Sequence, residues 1–212
     1  MGCNMKENLD KRVATCINEL ETVINSDKLP NIYFVGKCGS GKSYSAKFMI
    51  EKYNYNVAKF AYPVYMLAEK YFGMTAKDRL LLQTIGTEAG RDVIGSDLWI
   101  NRFKEDMSIV KRTSEIMNIP QSKFVMDDCR FPNEHQLLKE IGFIGIYLNV
   151  PDNLRKDRLV GRDGATQEHT FNHRSETLID TFKDELIQLD YSGSIEESYA
   201  KLNRLLNTII KD

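Results

Sequence analysis

The sequence predicts an α/β fold, and three observations carry that prediction. Short apolar runs rich in β-branched and aromatic residues alternate along the 212-residue chain with stretches of helical periodicity, the pattern of strands joined by helices. The first run, Asn31-Ile32-Tyr33-Phe34-Val35, leads directly into Gly36-Lys37-Cys38-Gly39-Ser40-Gly41-Lys42-Ser43. That stretch fills every fixed position of G-x-x-x-x-G-K-[ST], the phosphate-binding loop or P-loop. The third run, 123–128, ends in Asp127 and Asp128, and an acid at the end of a strand beside a P-loop is the arrangement that orients a metal ion.

Taken in order, residues 5–26 space Leu9, Val13, Ile17, Leu20 and Ile24 three or four apart, an amphipathic helix ahead of the first strand. After the P-loop a helix follows from Tyr44, and residues 56–61 read as a second strand. Residues 64–72 read as a helix stopped at Gly73. Leu80, Leu81, Leu82 and Ile85 suit a helix that turns at Gly86, with another helix beginning after Ser96-Asp97; Trp99 is read as an anchor of this region. The strand at 123–128 is followed by Arg130 and by Phe131-Pro132-Asn133-Glu134, a helix start with proline in its first turn. Residues 142–150 form the fourth strand. Arg155, Arg158 and Arg162 then recur at spacings of three and four on one helix face, a row that calls for an anionic partner. The polar run 163–174, with His169 and His173, reads as a loop over the site. Residues 186–190 are the fifth strand, and Ser194-Ile195-Glu196-Glu197 is a capping box opening a last helix.

The composition sets outer limits. Apolar content of 42% and charged content of 28% are those of a globular protein with a sizeable core. A net charge of −1 gives no general attraction to nucleic acid or anionic membrane, and no basic stripe interleaved with aromatics appears. No apolar run reaches membrane-spanning length and no secretory signal is recognised, so the expected partner is a small molecule and the expected location the cytoplasm. Cys3, Cys16, Cys38 and Cys129 are scattered without a C-x-x-C pair, which points to reduced thiols. Cys38 is read as a small residue at a variable loop position.

The chemistry of the P-loop follows from its residues. Glycines allow positive φ and leave room for a ligand beside the backbone, so that loop N–H groups converge on phosphate at the positive end of a helix. Lys42 is expected on the β- and γ-phosphates and the Ser43 hydroxyl on Mg²⁺. Arg79 and Arg91, flanking Gln83 and Thr87, are candidates for a second phosphate and a base edge, because guanidinium forks onto phosphate oxygens.

Beyond the P-loop, three stretches carry a family likeness: Leu82-Gln83-Thr84-Ile85-Gly86-Thr87-Glu88 with Arg91 and Trp99, Asp128-Cys129-Arg130-Phe131-Pro132-Asn133-Glu134, and His173-Arg174-Ser175-Glu176. With them the chain from about residue 31 onward resembles the deoxynucleoside monophosphate kinases of bacteriophages and their bacterial relatives. The resemblance implies a three-layer α/β/α sandwich with a central five-stranded parallel sheet, all in one domain. It also implies an inserted helical acceptor-binding region (64–120) and an arginine lid (152–176), while the N-terminal helix (1–30) lies outside the motifs and brings a homodimer contact into play. The implied reaction is dNMP + ATP → dNDP + ADP. In it Lys42 and the loop amides hold ATP, Ser43 and Asp128 hold Mg²⁺, and Arg130, Arg158 and Arg162 neutralise the migrating phosphoryl group. Phe60, Arg79, Gln83, Thr87, Arg91 and Arg130 meet the acceptor. Asp127 adds a second acid, so either carboxylate could serve the metal. Two other readings use the same residues: a dephospho-coenzyme A or phosphomevalonate kinase, or a regulatory ATPase module acting on a partner.

Overall fold

The computed structural model describes residues 2–19, 28–163 and 173–210. Five strands, β1 (Ile32–Val35), β2 (Asn56–Val57), β3 (Phe124–Met126), β4 (Ile144–Asn149) and β5 (Ile187–Asp190), form one sheet in the order β2-β3-β1-β4-β5. Every pairing is parallel, so every connection must cross over the sheet, and helices cover both faces.

Alternation along β1 separates the two cores. Ile32 and Phe34 face one side, against Val13 and Ile17 of α1 (Gly2–Glu19), Phe48 and Met49 of α2 (Lys42–Tyr53), and the C-terminal helix. Tyr33 and Val35 face the other, with Phe60, Trp99, Phe103 and Leu138. All four β1 residues are buried, as expected of the central strand of a parallel sheet. α1 thus packs on its own chain, and Lys52 Nζ donates to Ile17 O at 2.9 Å. Leu20 and Ile24, and the side chain of Leu9, lie outside the described residues.

The region between β2 and β3 holds α3 (Tyr62–Phe72), α4 (Arg79–Gln83), a π-helix (Thr84–Ile94) and α5 (Leu98–Met117). Two expectations are corrected here. The second strand is two residues long rather than 56–61. Ala58 N–H still donates to Val125 O, but the chain then leaves the sheet edge and Ala61 N–H donates to Asp128 Oδ2 at 2.8 Å. Nor does the chain turn at Gly86: α4 runs straight into the π-helix, which ends only at Gly95. At Gly86 the carbonyl accepts from Trp99 Nε1 at 2.7 Å, and a Cβ there would meet the Val64 methyls at an ordinary 3.6 Å. Gly90 is tighter, since a Cβ there would lie 2.6 Å from the Trp99 ring. Small residues let the wide π turn close on the buried indole.

After β3 come α6 (Pro132–Glu140), α7 (Asp152–Asp163), the short α8 (Arg174–Thr177), two 3₁₀ turns and α9 (Ile195–Ile209). α9 opens with the expected capping box: Glu197 N–H donates to Ser194 Oγ while Glu197 Oε2 accepts from Ser194 N–H. Among the described residues no helix is long and apolar enough to cross a membrane.

Candidate active site

The P-loop joins β1 to α2 at the carboxyl edge of the sheet. Gly39 (φ 85) and Gly41 (φ 98) hold left-handed conformations, and a Cβ on Gly39 would fall 2.6 Å from Arg155 O. The loop is braced from outside: Arg155, buried, donates to Cys38 O at 2.8 Å and to Asp152 Oδ1 at 2.6 Å, while Lys37 pairs with Asp180 at 2.6 Å. Arg155 therefore supports the loop with the charge that the arginine row was expected to present to a ligand. Ser40 Oγ is buried without a partner.

Lys42 lies across the loop, its Nζ donating to Gly36 O and, at 3.2 Å, to Lys37 O. Burial, reinforced by the Arg130 charge and opposed by Glu176, pushes its pKa down to about 8. An ammonium held in place by neutral carbonyls, with no carboxylate bonded to it among the described residues, is suited to receive an anion.

Facing it are the two acids that follow β3, and they occupy different environments. Ser43 Oγ donates to Asp127 Oδ2 at 2.7 Å, and Lys59 Nζ stands 3.1 Å from Asp127 Oδ1. Burial works against ionisation of Asp127, but Lys59 and the Ser43 hydroxyl outweigh it and hold the carboxyl below the usual range. Asp128 is pushed up to about 7, by burial first and then by the charge of Asp127; its bond from Ala61 N–H only partly offsets them. Asp128 was expected beside Ser43; the structure brings Asp127 there instead and turns Asp128 toward the start of α3. Hydroxyl and ionised carboxylate are hard oxygen donors of the kind Mg²⁺ takes, one or two from the protein with phosphates and water completing the shell, so this pair fits that ion. No cluster of three or more acidic, His or Cys ligands occurs among the described residues, and a site of this type needs none.

Arg130 donates through its guanidinium to Glu176, whose other oxygen accepts from Cys38 N–H at 2.6 Å. Arg158, half-buried, donates to Tyr191 O at 3.0 Å and Gly193 O at 3.3 Å, beside the P-loop. The Arg162 side chain and His169 lie outside the described residues.

One cavity of about 640 Å³ runs from the P-loop to the helical region and is lined at its far end by Arg79, Gln83, Thr87, Phe60 and Trp99. Gln83 Oε1 and Asp128 Oδ1, both from cavity-lining residues, are buried without hydrogen-bond partners. Buried orphans of this sort point to a polar ligand. Arg91 also touches the cavity, but its guanidinium is committed: it bonds Glu134, Ser96 O (2.7 Å) and Asn133 Oδ1 (3.4 Å), and stacks 4.0 Å from the Phe131 ring centroid. Sequence reasoning missed Lys59 and gave Glu176 no role. Lys59 carries no local signal, since its partner stands far away in the chain.

No protein-family model matches the chain. It is 26% identical over 196 residues, 81% of this chain and 93% of the other, to a protein of Acanthamoeba polyphaga mimivirus named "Putative deoxynucleotide monophosphate kinase". Among solved structures it superposes on TT1252 from Thermus thermophilus with a TM-score of 0.56 (16% identity, 85% of this chain and 98% of that one). It also superposes on the shikimate kinase of Acinetobacter baumannii with a TM-score of 0.50 (16% identity, 86% and 94%). The fold is that of the P-loop small-molecule kinases. Central parallel sheet, flanking helices and a glycine loop at the carboxyl end of β1 are common to that fold and this chain.

Proposed function

We propose that the protein is an ATP- and Mg²⁺-dependent kinase that phosphorylates a deoxynucleoside monophosphate, giving the diphosphate and ADP. The observation that carries this reading is the continuous cavity: it joins a P-loop lysine, two strand-end acids and Arg130 at one end to Arg79, Gln83 and Thr87 at the other. The likeness to the mimivirus protein supports the same acceptor class.

The chemistry asked of this chain is positioning and charge neutralisation. Lys42 and the loop amides hold the donor phosphates, and Arg130, Arg158 and Arg162 answer the charge of the phosphoryl group as it moves. Ser43 Oγ and Asp127 would hold Mg²⁺, and its positive charge would offset that of the donor phosphates. A monophosphate acceptor is already an anionic nucleophile, so no general base is required. At the acceptor end, Arg79, Gln83 and Thr87 contact the nucleotide over the Phe60 ring, while Arg91 fixes the wall behind them.

Asp127→Asn is expected to raise the Mg²⁺ concentration for half-maximal turnover at least about tenfold, and Asp128→Asn to shift it less. Magnesium titrations of both variants check this, and the reverse order would return the metal to Asp128. The reading as a whole is tested by ADP release from Mg-ATP with each common deoxy- and ribonucleoside monophosphate in turn. A second reading, a kinase for another small acceptor such as dephospho-coenzyme A or phosphomevalonate, is supported by the fold that the chain shares with solved structures. Release only with one of those acceptors would decide for it.

A further inference from the structure

A P-loop amide is built to meet an anion, and here one already meets an anion supplied by the chain. Glu176 Oε2 accepts from Cys38 N–H at 2.6 Å, while Oε1 accepts from Arg130. The residue is 4% exposed, and although burial opposes its charge, Arg130, Lys42 and the Cys38 amide keep the carboxyl below its usual range. Glu176 thus uses two groups that phosphoryl transfer needs: a loop N–H and the strand-end arginine. A carboxylate and a phosphate oxygen cannot both hold that position, since two anions in one buried pocket repel strongly.

Glu176 is also tied to the acceptor end. It lies in α8, whose N-cap His173 bonds Glu88 Oε1 at 3.0 Å and whose Arg174 pairs with Asp92. Glu88 and Asp92 both belong to the π-helix that carries Thr87. A contiguous set of bonds therefore runs from the acceptor wall through α8 to the P-loop.

Resting on the kinase reading above, we infer that Glu176 is a resident counter-anion of the phosphate site, yielding its position between Cys38 N–H and Arg130 to substrate phosphate. The phosphate of a bound monophosphate competes for Arg130, loosens Glu176 and frees the loop amide for the donor. Acceptor and donor then favour each other's binding, and by linkage the effect is reciprocal. Glu176 also balances the charges of Arg130 and Lys42, which oppose each other.

The experiment is calorimetric titration of the full chain with the Mg²⁺ complex of β,γ-imido-ATP, with and without a mixture of the four common deoxynucleoside monophosphates. Wild type is expected to bind the donor analogue about tenfold tighter when the monophosphates are present. Glu176→Gln and Glu176→Ala are expected to bind it about tenfold tighter than wild type without them, and to lose the acceptor's effect. Melting curves establish that each variant is folded, and a fold defect in one leaves the other to report. Equal or weaker donor binding by the folded variants, or an acceptor effect that survives in them, overturns the inference and leaves the kinase reading intact. A wild type that does not bind the donor analogue overturns both.

Discussion

Lys42→Ala is expected to lower kcat/KM by a thousandfold or more, on the order of the loss when a preorganised charge is withdrawn from a transition state. The fold is expected to survive. Among the described residues Lys42 Nζ donates hydrogen bonds only to carbonyls of its own loop, Gly36 O and Lys37 O, and burial already disfavours its charge. Removing the ammonium takes away a desolvated cation and, among the described residues, breaks no hydrogen bond between elements, while Glu176 keeps its bonds from Arg130 and Cys38 N–H. Unchanged circular dichroism and an equal or higher Tm, together with the lost turnover, are the expected pair of results. Near-normal turnover would contradict the assignment of the P-loop to catalysis.

Arg91→Ala is expected to act on stability first. Arg91 and Glu134 are paired with side chains only 5% and 4% exposed, and Glu134 also accepts from Arg130 N–H at 2.7 Å and Phe131 N–H at 3.0 Å. Removing the guanidinium leaves a buried carboxylate short of its counter-charge, a change that costs about 3–5 kcal/mol. In a chain of this size that lowers Tm by on the order of 10 °C. Chemical denaturation of Arg91→Ala, Glu134→Ala and the double variant checks it: the double should lose less than the sum of the singles. A variant of unchanged stability whose acceptor KM alone rises would restore Arg91 to direct acceptor contact.

The contrast between these residues explains what was legible in the sequence. Lys42 could be read because the P-loop is contiguous; strand, glycines, lysine and serine announce one another within a dozen residues. The central strands were equally plain, since both faces of β1 are buried and the run is apolar throughout. Arg91 was read as a ligand group because its partner stands 43 residues further on, in another helix. Asp127 and Asp128 could not be told apart, because adjacent residues leave a strand in opposite directions and only the fold sets which one meets Ser43. Gly86 was misread for a related reason. A glycine in sequence signals either a turn or a close approach; the helix runs on through Gly86, and the close approach is at Gly90, against the Trp99 ring nine residues away. Glu176, 138 residues from the amide it meets, belonged to a recognisable motif whose role only the packing displays.

On the proposed function, this cavity passes a phosphoryl group to a small acceptor rather than to water. Single-turnover reaction of the enzyme with γ-³²P-ATP, Mg²⁺ and each deoxynucleoside monophosphate tests it most directly. Label is expected in the β-phosphate of a deoxynucleoside diphosphate for at least one of them. Label appearing only as inorganic phosphate, whatever monophosphate is supplied, would contradict it.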